Sequence, residues 1–125
     1  MHETEKIWMN GELVGWQDAK VHVLSHVMHY GSGVFEGIRA YATDRGPAVF
    51  RLMDHLRRLE RSSEVYFMQL PYSLEELRQA THDVIAKNSL WMRLVIGPAP
   101  ISCSSIERIG VISAAVPVKK TSSAW

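Results

Sequence analysis

A chain of 125 residues is one domain's worth, enough to bury a core and short for an enzyme that must also enclose a cofactor. Its 46% hydrophobic and 22% charged residues are ordinary for a soluble globular protein, and a formal charge of +1 gives no reason to expect nucleic acid or an acidic membrane as partner. The single cysteine, Cys103, excludes an intramolecular disulfide, the acidic start MHETEK is unlike a signal peptide, and no apolar run approaches a membrane span, so a cytoplasmic protein is expected.

Lys6 to Trp16 predicts a β-hairpin: IWM, then Asn10-Gly11, then ELVGW, with the Asn-Gly pair supplying the positive φ angles of a type I′ turn. Gln17 to Lys20 reads as a polar connection, Val21 to Leu24 as a short extended piece, and Ser25 as the start of a brief helical turn. His22, His26 and His29 follow at spacings of four and three, which on one helix would gather them on a face as zinc ligands are gathered. No carboxylate or cysteine stands at ligand spacing, and the β-branched residues around His22 argue against a helix there. The three are therefore read as structural, and no metal is expected.

From Val34 to Tyr41 the pattern alternates with period two. Phe35, Gly37, Arg39 and Tyr41 point one way, and Val34, Glu36, Ile38 and Ala40 the other. Each face carries a charge among apolar residues. Charged side chains are seldom buried unpaired, so this strand predicts the wall of a polar cavity or an interface, shaped by a Glu36–Arg39 pair. Ala42 to Pro47 reads as a turn-rich loop, and Ala48 to Arg51 as a returning strand that can pair with the 34–41 strand.

At Leu52 the period becomes helical, with Leu52, Leu56, Leu59, Ser63 and Tyr66 along one stripe and His55 and Arg58 at its edge. Pro71 breaks the chain. Ser73-Leu-Glu-Glu76 is a capping box opening a second helix, with Leu74, Leu77, Thr81, Val84 and Ile85 on its inner face and Asn88 as its stop. Trp91 to Ile96 and Ile109 to Val116 are two further β-type runs, and Lys119 to Trp125 reads as a loose end. The expected fold class is α+β: an antiparallel sheet with two amphipathic helices on one face.

Three separated stretches, IWMNGELVGWQDAKVHVLSH at 7–26, HYGSGVFEGIRAY at 29–41 and VFRLMDHLRRLERS at 49–62, together resemble bacterial branched-chain amino-acid aminotransferases, fold-type IV enzymes that use pyridoxal 5′-phosphate (PLP). The resemblance is ordered from about Ile7 to Asn88 and weakens beyond. It implies a small N-terminal class IV domain over residues 1–117, with 118–125 as the start of an interdomain linker or a loose tail.

In that family the Arg of an H-x-x-R-L helix motif binds the cofactor phosphate, and His55-Leu-Arg-Arg58-Leu carries the motif, so the resemblance gives Arg58 this role. A guanidinium suits it, since its planar fork donates two hydrogen bonds and keeps its charge. From the helical pattern alone, Arg58 is more simply an exposed arginine beside an acid. The resemblance likewise assigns Tyr30 and Phe35 to an apolar slot for the substrate side chain, with Gly37 and Arg39 beside them and Trp91 and Arg93 toward the carboxylate end. Trp91 replaces a family tyrosine and removes its hydroxyl. The loop from Gly97 to Arg108 also lacks the family's glycine-rich stretch.

The family's Schiff-base lysine and the acid that pairs the pyridine nitrogen belong to a second, C-terminal domain, for which this chain has no matching motif. Lys119 and Lys120 do not resemble the catalytic site, so no catalytic residue is assigned and the isolated chain is expected to be inactive. The resemblance implies Leu, Ile and Val as donors, 2-oxoglutarate as acceptor, and a homodimer or larger oligomer. A D-amino-acid aminotransferase or aminodeoxychorismate lyase of the same fold remains open, as does a non-catalytic dimerisation module.

Overall fold

The structure, a computed structural model, describes residues 3–88 and 112–114. Strands β1 (Lys6–Met9) and β2 (Glu12–Gly15) form the first hairpin, with Met9 opposite Glu12. Asn10 and Gly11 take φ of 53° and 95°, so the Asn-Gly pair forms the expected tight turn. A single 3-10 turn, Trp16–Asp18, follows. Val21 to Leu24 forms no strand. These four residues are exposed, no described strand lies beside them to complete a ladder, and the chain turns so that Ser25 N–H donates to His22 O at 2.9 Å. Helix α1 (His26–Tyr30) comes next and ends at Gly31, whose φ of 63° is the left-handed conformation that glycine adopts without a Cβ clash.

The predicted 34–41 strand is two strands. β3 (Val34–Glu36) pairs antiparallel with β6 (Ile112–Ala114), whereas β4 (Ala40–Thr43) pairs antiparallel with β5 (Gly46–Val49). The two halves serve different ladders and separate at Gly37–Arg39, yet the alternation of burial runs through: Val34, Glu36 and Ile38 are buried while Phe35, Gly37 and Arg39 are exposed. The expected loop over Ala42 to Pro47 contracts to Asp44-Arg45, with Pro47 inside β5 opposite Ala42. Among the described residues this ladder has two strands, both edges, and an edge tolerates the missing N–H of proline. Every described ladder is antiparallel.

Helix α2 (Leu52–Val65) packs on β3 and on α3 (Leu74–Lys87), which in turn packs on β1. Leu52, Leu56, Leu59 and Ser63 form the buried stripe of α2, and Leu77, Ala80, Thr81 and Ile85 that of α3. Tyr66 leaves the stripe because the helix has already ended: it is the C-cap and is exposed. Ile38, Leu52, Leu56 and Leu77 make a core cluster, flanked by Trp8 and Tyr72 in an edge-to-face pair 4.8 Å apart. The Ser73 capping box is complete, with Ser73 Oγ accepting from Glu76 N–H and the Glu76 carboxylate accepting from Ser73 N–H. Asn88 caps the other end of α3 and clasps β1, accepting from Lys6 N–H at 2.7 Å and donating to Lys6 O at 2.9 Å. Antiparallel strands with two amphipathic helices are thus the α+β architecture that the patterns predict.

Candidate functional site

Where β3 meets α2, a carboxylate lies in the wall of the core. Alternation on β3 turns Glu36 inward to 4% exposure, and the helical period of α2 brings His55 and Arg58, one turn apart, to meet it. Arg58 Nε donates to Glu36 Oε2 at 2.8 Å, Arg58 Nη2 donates to Glu36 Oε1, and His55 Nδ1 lies 2.7 Å from the same Oε1. Burying a carboxylate is costly unless it is paired and hydrogen-bonded, and here three nitrogens share the task. The Arg58 hydrogen bond, above all, holds the Glu36 carboxyl below its ordinary value of 4.5; burial opposes this and His55 reinforces it. The same bond raises Arg58. Among the described residues no buried side-chain nitrogen or oxygen lacks a partner.

Glu36 therefore pairs with Arg58 and not with Arg39. The period-two pattern contains the reason, because positions 36 and 39 differ by an odd number and fall on opposite faces. Arg58 is, as its helical position suggests, an exposed arginine beside an acid, and that acid stands on β3. Arg58 reaches this carboxylate while its side chain remains 67% exposed. On its outer side is an open cleft of about 280 Å³ lined by Phe50, Arg51, Asp54, His55 and Arg58. Asp54 occupies the neighbouring cations, accepting from Arg51 Nε at 2.7 Å and Arg57 Nη1 at 3.2 Å. Arg51 enters α2 in the left-handed conformation at φ 50°, a strained setting for a non-glycine residue on the cleft wall.

Residues 33–120 match the family described as amino-transferase class IV. The chain belongs to the class IV aminotransferases. It is 51% identical over 88 residues to the branched-chain-amino-acid aminotransferase of Escherichia coli K12, an alignment covering 70% of this chain and 28% of that protein. The Pseudomonas aeruginosa enzyme of the same name is 42% identical over 119 residues, 95% of this chain and 38% of the relative. Among solved structures, the E. coli branched-chain amino acid aminotransferase superposes with a TM-score of 0.69 at 50% identity, over 71% of this chain and 29% of that one. The branched-chain amino acid aminotransferase of Thermoproteus uzoniensis with norvaline gives 0.65 at 46%, over 68% and 29%. A further branched-chain enzyme, complexed with N-(5′-phosphopyridoxyl)-L-glutamate, gives 0.69 at 47%, over 71% and 30%. The chain thus spans between about a quarter and two fifths of the length of the relatives it matches.

Within this class IV domain Arg58 is the one sequence-assigned position among the described residues that lines the cleft. Phe35 and Tyr30 are 72% and 75% exposed, and Gly37 and Arg39 are exposed as well. Tyr30 ends α1 and stacks on His26, ring centroids 4.4 Å apart. Trp91 and Arg93 lie outside the described residues, as do Cys103, the 97–108 loop, Lys119 and Lys120. The three histidines do not share one face. His22 Nδ1 accepts from Leu24 N–H, His26 contacts Ser32 Oγ and His29 Nε2 donates to Val23 O, and no described group of His, Cys, Asp or Glu could hold a metal ion. His55 as a partner of Glu36 has one signal in the sequence, its place three residues before Arg58 on one helix. The cleft position of Arg51 had none.

Proposed function

We propose that this chain is the N-terminal domain of a PLP-dependent aminotransferase that moves the amino group of Leu, Ile or Val to 2-oxoglutarate. The observation that carries the reading is Arg58. It lines a cleft with part of its guanidinium fork uncommitted, in a chain whose sequence matches class IV aminotransferases. A phosphate group fits that donor set, because it accepts the parallel N–H bonds a guanidinium end presents. PLP, when bound, supplies the electron sink for the bond changes at the substrate Cα.

Arg58 holds the phosphate. Tyr30 and Phe35 present apolar surface that a branched side chain covers at the expense of water. Gly37, without a Cβ, lets a ligand approach the main chain, and no described residue lies within 4 Å of where that Cβ would be. Arg39, with Arg93 and Trp91, supplies donors for the carboxylate end. No described lysine suits proton transfer at Cα, since Lys6, Lys20 and Lys87 are all exposed and that task requires a desolvated amine. The 125-residue chain by itself is therefore expected to give no turnover. Oligomerisation in the cytoplasm completes the proposal, consistent with the exposed apolar side chains of α1 and β3.

Amino-donor profiling of the native-length gene product, with 2-oxoglutarate as acceptor, tests the reading. Preferential release of the 2-oxo acids of Leu, Ile and Val is expected. A preference for D-alanine, or pyruvate release from aminodeoxychorismate, would replace it with another class IV activity, and no turnover with any donor would leave an association module.

A further inference from the structure

The pair between Glu36 and Arg58 uses one particular edge of the guanidinium. Nε and Nη2 lie along its side, and both donate to Glu36. A guanidinium has five N–H donors, so the two protons of Nη1 and the second proton of Nη2, which together form its end, remain. No described residue accepts from that end. Two bonds to one carboxylate also fix the plane of the fork, which a single bond would leave free to swivel.

The carboxylate is itself anchored. It stands on a strand, is 4% exposed, and is met on Oε1 by His55 as well as by Arg58. Arg51 differs, since its partner Asp54 is an exposed residue of the cleft wall, three positions along the same chain segment. Arg58 alone among the cleft's arginines is braced from behind by the core.

We infer that Glu36 is a positioning residue: it presents the end of the Arg58 fork to a phosphate-class anion, with His55 steadying the carboxylate. The inference rests on the proposed phosphate role of Arg58 and adds the group that orients it. Pre-orientation removes from the binding step the loss of rotamer freedom that a loose arginine suffers. Glu36→Gln keeps the shape and exchanges one acceptor for an NH2 that opposes an arginine N–H, so one of the two bonds is lost. The expected consequence is about a tenfold weaker hold on phosphate.

The test titrates the 125-residue chain with inorganic phosphate and follows the Arg58 Nε–H signal by NMR, with Arg58→Lys as reference. Support is a saturable shift of that signal, which Arg58→Lys identifies by lacking it, about tenfold weaker in Glu36→Gln while the remaining amide signals hold their places. Equal affinity in Glu36→Gln and the unsubstituted chain would overturn the inference and leave the phosphate role of Arg58 standing. No response of Arg58 to phosphate in the unsubstituted chain would overturn that role, and the inference with it. A second measurement needs no variant: before phosphate is added, Arg58 Nε–H must exchange slowly with water, and fast exchange would refute the bracing.

Discussion

Glu36 is buried, charged and paired, and its titration makes a sharp statement about stability. Its carboxyl in the folded chain titrates below the ordinary 4.5, so the folded state binds the proton less readily than the unfolded state does. The contribution is complete above about pH 4.5 and is lost as the pH falls through the lower folded value. Asp54, Glu75 and Glu76 are lowered too, each by its own bond to Arg51, Arg78 or Ser73, so the acid response of the chain as a whole does not isolate Glu36. The difference between the unsubstituted chain and Glu36→Gln does. Thermal midpoints measured from about pH 7 to pH 3 should converge below about pH 4.5, and a constant gap would contradict the assignment. The position of Glu36 in a polar wall was legible from alternation alone, but its partner was not. Periodicity says which face a residue takes and is silent about which helix returns 22 residues later to cover it.

Among the elements, legibility follows local chemistry. The Asn10-Gly11 hairpin was readable because both central residues carry the positive φ that the pair advertises. The pairing of β4 with a returning β5 was readable too, but its tight turn was not, because Asp44-Arg45 has no such signature, positive φ falls only on Gly46, and Thr43 ties the turn through its hydroxyl by donating to Gly46 O at 2.6 Å. The two long helices were legible from stripes and from the capping box, yet their starts differ. α3 has Ser73 and Glu76 satisfying each other's backbone, whereas α2 begins at a left-handed Arg51 with no side-chain cap. Ser73→Ala should therefore cost about 1 kcal/mol. Leu56→Ala, at a fully buried position of α2, should cost about 2–5 kcal/mol, since it leaves a cavity in addition to losing apolar burial. Urea unfolding of the two variants gives both values. A larger loss in Ser73→Ala would mean that the cap, rather than the α2–α3 core, holds the helices together.

At the scale of the whole molecule, the apolar residues that are not in the core call for an account. Val65, Tyr66 and Phe67 close α2 together, all exposed, and Phe67 is 97% exposed with φ 55°. The helical period predicts Tyr66 on the inner stripe, but a period describes a helix only while the helix lasts, and here the chain turns back through Met68 N–H donating to Ser63 O. Phe67 thus stands in a conformation that costs a non-glycine residue about 1–2 kcal/mol. It recovers nothing from burial. Phe67→Gly removes that strain and adds about 0.5–1 kcal/mol of unfolded-chain entropy to be lost on folding, so the monomer should gain up to about 1.5 kcal/mol. The same substitution removes an exposed aromatic ring, and sedimentation should show weaker, concentration-dependent self-association than in the unsubstituted 125-residue chain. The two readouts separate the explanations. If Phe67→Gly lowers the unfolding free energy at a dilution where the chain is monomeric, the ring packs against the same chain in solution. If stability rises while association is unchanged, the contacts between copies lie elsewhere, at the exposed Leu24, Met28, Tyr30 or Phe35.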